Sequence, residues 1–77
     1  MTYITVSVYN MTFRESDGAT IGEVQGFEEP LDLEIEVDDE NDDSEIRAAI
    51  ETEVDDMLDE QYGFGEIELI DFEYSKY

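Results

Sequence analysis

Leu31-Asp32-Leu33-Glu34-Ile35-Glu36-Val37-Asp38 decides how this chain folds. Apolar and acidic residues alternate through it without a break. Successive side chains of a strand point to opposite faces, so the run reads as a strand with one apolar face and one acidic face. The apolar face needs cover, and the sequence supplies it a few residues later. Ile46, Ala49, Ile50, Val54, Met57 and Leu58 fall on one side of a helix expected from about Ser44 to Tyr62. Asp42 and Glu45 have capping-box spacing, with Ser44 a competing N-cap. Gly63 suits a left-handed stop.

Outward from this pair, three further segments complete the fold. Thr2 to Phe13 is rich in β-branched and aromatic residues; Ile4, Val6 and Val8 point one way and Tyr3, Thr5, Ser7 and Tyr9 the other. Asp17-Gly18 signals a turn, after which Thr20 to Val24 is expected to pair back as a hairpin. Gly22, Gly26 and Pro30 weaken that stretch, which is therefore bulged or on an edge. It is either a separate strand or the near half of one long bent strand ending at Val37. The last strand is expected from about Glu66 to Tyr74. Ile67 and Leu69 share one parity and Ile70, Phe72 and Tyr74 the other, which predicts a bulge near Leu69-Ile70. No internal repeat is visible. The expectation is one α+β domain over residues 1–77, in the order ββ(β)αβ. A three- to four-stranded, mainly antiparallel sheet would carry one helix on one face.

Charge sets the functional reading. The 77 residues include 24 Asp and Glu but only 3 Lys and Arg, for a net charge of −21. Self-repulsion of this kind opposes compaction, and folding leaves a margin of only ~5–15 kcal/mol. The apolar content is 40%, too high for a disordered acidic tail. A folded chain with this imbalance points to a basic partner. Direct contact with DNA or with an anionic membrane surface would be repulsive.

Catalytic and metal chemistry find little support. Without His or Cys, the usual general base, thiolate and most transition-metal ligands are missing. Carboxylate pairs are uninformative when acids are this frequent. Gly63-Phe64-Gly65 lacks the Lys and spacing of a phosphate loop. The loop Asp38–Asp43 approaches a calcium-binding pattern, but Ser44 and Ile50 occupy the Gly and Glu positions it requires. No catalytic residue, cofactor or metal site is expected. The start, Met1 to Val6, lacks the features of a signal peptide, and no apolar run is long enough to span a membrane. A cytoplasmic location is expected.

Two surfaces are candidates for the partner. Asp32, Glu34, Glu36 and Asp38 form a row about 20 Å long, with neighbours ~6.8 Å apart. Two base-pair steps along one DNA strand rise a similar ~6.8 Å. A merely solvated strand face would mix Thr, Ser and Lys among its acids, and this row has none. The second surface is the later half of the helix, with Glu51, Asp55, Asp56, Asp59 and Glu60. Acids there face the negative pole of the helix dipole. Glu51–Asp55, Asp55–Asp59 and Asp56–Glu60 are like-charge pairs that each cost ~0.2–0.5 kcal/mol. Among the aromatics, Tyr3, Tyr9, Phe13, Phe27, Phe64, Phe72 and Tyr74 suit packing, while Tyr62, Tyr74 and Tyr77 are candidate interface anchors.

In these features the chain resembles the small acidic inhibitors of phages and mobile elements. They include DNA-mimic anti-CRISPR proteins, anti-restriction proteins and uracil-DNA glycosylase inhibitors. Length, the lack of cysteine and the acids from Glu28 to Glu60 carry the likeness, which involves no shared motif. It implies a non-catalytic inhibitor whose partner is a basic nucleic-acid-binding protein: a CRISPR effector, a restriction enzyme or a repair enzyme. Two other classes share the composition: a halophilic-type housekeeping domain, and an acidic module for a basic histone- or ribosome-like protein.

Overall fold

The computed structural model describes residues 1–63 and 65–77. Phe64, counted above among the packing aromatics, lies outside them. In chain order the elements are β1 (Thr2–Glu15), β2 (Thr20–Ile21), β3 (Leu31–Val37), α1 (Asp43–Tyr62) and β4 (Ile67–Lys76). They form an α+β fold with one four-stranded antiparallel sheet and one helix among the described residues.

β1 is the hub, pairing with all three other strands. Val6 opposes both Leu33 of β3 and Lys76 of β4, and Phe13 opposes both Ile21 of β2 and Leu69 of β4. β4 therefore runs along one edge of β1, while β2 and β3 share the other. The region from Thr20 to Val37 is thus two strands on one line, separated by an irregular stretch. Pairing in β2 stops at Ile21, short of the expected Val24. Val24 and Phe27 leave the ladder and turn inward, joined by a Phe27 N–H to Val24 carbonyl bond of 3.0 Å. Both are buried, and the Phe27 ring meets Phe13 edge-on at 6.0 Å. Burial of an aromatic side chain outweighs three residues of edge pairing.

The sheet has two irregularities. Between Thr12↔Asp71 and Phe13↔Leu69 the register advances one residue on β1 and two on β4. Ile70 is the extra residue, which is the expected bulge. It lets both Leu69 and Phe72 reach the core. Between Tyr9↔Glu73 and Thr12↔Asp71 the extra residue is on β1. There Asn10 adopts φ 52°, a conformation Asn tolerates better than most residues. The same shift turns burial from Val6 and Val8 to Met11 and Phe13.

Helix α1 lies over the face that carries these side chains. Ile46, Ile50, Val54 and Leu58, spaced one turn apart, are buried against it. Fifteen apolar residues make up the core, and no polar or charged residue is buried among the described residues. Asp42 caps the helix, accepting from the backbone N–H groups of Ser44 and Glu45 at 3.1 and 3.3 Å. The capping box is only half formed. The Glu45 carboxylate accepts instead from the Asp38 N–H and so ties the end of β3 to the helix. Gly63 does end the helix, but at φ 106°, ψ 154° rather than in the left-handed region expected. That extended conformation is also essentially reserved for glycine.

Candidate partner-binding surface

The sheet face opposite α1 has no covering element among the described residues. Three rows of side chains line it. Asp32, Glu34 and Glu36 of β3 lie opposite Ser7, Thr5 and Tyr3 of β1. Glu68, Asp71 and Glu73 of β4 lie opposite Arg14, Thr12 and Tyr9. A central line of hydroxyl groups thus has carboxylates on both sides: β3 flanks its first half and β4 its second. From Tyr3 to Arg14 this band spans roughly 35 Å at the rise of a strand. All six carboxylates are exposed. Asp38 is also exposed but lies past the end of β3, where the chain turns toward α1.

The helix acids lie on the other layer and do not join the β3 row. They divide into two groups. Glu51, Asp56 and Glu60 are exposed, whereas Asp55 and Asp59 are half-buried. Asp55 accepts from the Leu69 N–H at 3.2 Å, next to the β4 bulge, and Asp59 accepts from the Gly65 N–H at 3.4 Å. Burial raises the Asp55 pKa above its usual value; the Leu69 hydrogen bond opposes the shift, and the charges of Asp59, Glu68 and Asp56 reinforce it. These two acids serve backbone groups as well as adding charge, a role the charge pattern alone does not show. The row on β4 was missed for a related reason: the bulge scrambles the alternation that made β3 legible.

The cations leave the open face nearly uncompensated. Arg14 pairs with Glu68. Arg47 sits 3.4 Å from Asp43, donates to the Phe72 carbonyl and lies over the Phe72 and Tyr74 rings. Lys76 donates to the Glu40 carbonyl. Only two ion pairs occur among the described residues.

The tyrosines divide similarly. Tyr62 donates to the Gln25 carbonyl at 2.6 Å and pins the stretch after β2; Tyr74 donates to Asp43 at the start of α1. Tyr77 is 77% exposed and reaches across the open face to donate to Asp32 at 2.8 Å. Tyr3, 66% exposed, lies opposite Glu36 of β3. The hydrogen bonds to Glu36 and Asp32 are the largest of the effects that raise the phenol pKa values of Tyr3 and Tyr77.

Within the loop from Asp38 to Asp43, Asp39 accepts from the Asn41 N–H at 2.9 Å and Asp42 caps the helix. No group of three or more potential ligands among the described residues is placed to hold a metal ion. No helix among them is long and apolar enough to cross a membrane. Comparisons with protein-family models, curated proteins and solved structures find no match.

Proposed function

We propose that this protein is a nucleic-acid mimic. It inhibits a host defence or repair enzyme in the cytoplasm by occupying the surface that would hold DNA or RNA, an anti-CRISPR protein being the leading case. It performs no catalysis of its own. The observation that carries this reading is the open sheet face: among the described residues, six exposed carboxylates lie in two rows, with Arg14 the one cation beside them. Spacing near 6.8 Å along the β3 row, and between Asp71 and Glu73 on β4, suits Lys and Arg side chains built to meet phosphates. The exposed helix acids Glu51, Asp56 and Glu60 extend the negative field around the molecule. They steer association more than they contribute affinity.

The test is displacement of nucleic acid from CRISPR effectors, restriction enzymes and repair glycosylases. A variant carrying E34Q, E36Q, D71N and E73Q should keep the fold and lose inhibition. At about 0.5 kcal/mol for each exposed pair, the four together remove about 2 kcal/mol, or roughly 30-fold in affinity. A parallel variant carrying E51Q, D56N and E60Q should weaken inhibition less. If the sheet variant inhibits at full strength while the helix variant does not, the mimic surface lies on the helix. If the protein binds a basic partner without displacing nucleic acid, the reading is replaced by that of an acidic module for a histone- or ribosome-like protein.

A further inference from the structure

We propose that the outer edge of β3 captures an extended basic segment of the partner, which adds to the sheet as another strand. The inference rests on the reading that the partner is basic. It adds a mode of recognition that phosphate mimicry alone does not require.

Backbone geometry is the starting point. The Tyr77 N–H donates to the Thr5 carbonyl at 3.0 Å, so Thr5 directs its backbone groups toward β4. In an antiparallel ladder successive residues alternate between the two sides. Ile4 and Val6 therefore direct theirs toward β3, where they meet Ile35 and Leu33. Asp32, Glu34 and Glu36, between and beside those residues, aim N–H and C=O away from β1. β3 has no second strand partner, and these groups have none among the described residues.

The opposite margin of the sheet is different. Along β4 the Leu69 N–H is taken by Asp55 and the Phe72 carbonyl by Arg47, and a bulge interrupts the ladder. Those devices protect an edge. On β3 the edge is straight, seven residues long, and opens onto a groove shared with α1. Ala48, Ala49 and Thr52 line the helix side of that groove, with Glu45 and Glu53 also on its wall. Small side chains there leave room for a second strand.

Charge selects the occupant. A second copy of this chain would set Asp32, Glu34 and Glu36 against identical residues, and like charges directly opposite one another are destabilising. A segment alternating Lys or Arg with Val, Ile or Thr fits both sides. Its cations would lie beside Glu34 and Glu36 on the open face. Its β-branched residues would point toward Ala48, Ala49 and Thr52. Main-chain bonds would supply affinity and the alternating side chains specificity, as in other cases of strand addition.

The probe is a labelled eight-residue peptide of alternating Lys and Val. The first control has the same composition with its Lys in one block. Two others are N-methylated on one or the other set of alternate amides. The alternating peptide should bind at least tenfold more tightly than the block peptide. One N-methylated version should lose at least tenfold while the other binds like the parent. Hydrogen exchange at the Glu34 and Glu36 amides should slow on binding. E34P, which removes an outward N–H, should lose binding that E34Q largely keeps; if E34P does not fold, the N-methylated peptides decide alone. Equal binding by all the peptides without amide protection overturns the inference, as does protection confined to β4. Dimerisation that protects the same amides without peptide also overturns it, in favour of a second copy. Displacement of nucleic acid is read separately. Edge capture without displacement sinks the mimic and leaves the edge; displacement without edge protection does the reverse.

Discussion

Asp55 shows how one side chain can carry opposing effects. Its carboxylate lies among the negative charges of Asp59, Glu68 and Asp56, yet it is also the acceptor for the Leu69 N–H. The two roles separate by substitution. Asp55→Asn keeps an oxygen for Leu69 and removes the charge; Asp55→Ala removes both. Combined as E51Q, D55N and D59N, the changes should leave the melting temperature unchanged or higher. Asp55→Ala should cost on the order of 1 kcal/mol, because a partly buried N–H loses its partner. The pH dependence gives a second reading. The folded-state pKa of Asp55 is raised above the ordinary 3.8, so its contribution is fully present below that value and is lost as pH rises through the folded value. Asn has no such loss. The stability of Asp55→Asn relative to the native protein should therefore grow across that window and vanish in stronger acid. Urea titrations from pH 3 to 7 measure this. A D55N variant that is destabilised at neutral pH would mean the negative charge itself is needed beside Leu69.

How far each element was legible depended on whether its determinants are local. β3 and α1 are written in simple periodicities, and their limits fall within a residue of those expected. The β4 bulge was legible because Leu69 and Ile70 change parity inside one apolar run. The β1 bulge leaves a similar trace in the spacing from Val8 to Met11, but the regular alternation of Ile4 to Tyr9 ends before it. Two features had no local signal. Val24 and Phe27 leave the edge for the core, where Phe27 meets Phe13, and Asp55 and Asp59 find acceptor roles beyond the helix, on β4 and on the turn before it. On the candidate site, the exposed β3 row was readable, while its counterpart on β4 required the pairing of both strands with β1. The end of α1 yields a prediction of its own. Asp56 and Glu60 are exposed, repel one another and face the negative pole of the helix, which has no basic residue in its last turn. Replacing both with Lys should add about 1 kcal/mol. For a domain of this size that raises the melting temperature by about 4–8 °C. A fall in thermal unfolding temperature would reveal a contact that these two side chains make.

For the molecule as a whole, salt separates folding from binding and the mimic from its halophilic alternative. Neighbouring acids along β3 lie ~6.8 Å apart, inside the Debye length of ~8 Å at physiological ionic strength. Their repulsion is therefore only partly screened at that ionic strength and is much reduced near 1 M salt, where the length falls to ~3 Å. Stability should rise as salt is added and then level off. Affinity for a basic partner should move the other way, because the same ions screen attraction across the interface. Two opposed salt slopes are thus expected from one set of charges. The core sets where the first begins. Fifteen buried apolar residues and no buried polar or charged residue among the described residues give the chain a core whose stability does not rest on its own charges. Cooperative unfolding, followed by circular dichroism, should be seen already at about 0.1 M salt. Association with the proposed basic partner should slow as ionic strength increases. A chain that folds only in molar salt would instead be adapted to a saline interior, and its acids would need no partner to explain them. If the chain folds at low salt but its affinity does not change with ionic strength, the contact is made by Tyr3 and Tyr77 rather than by the carboxylates around them.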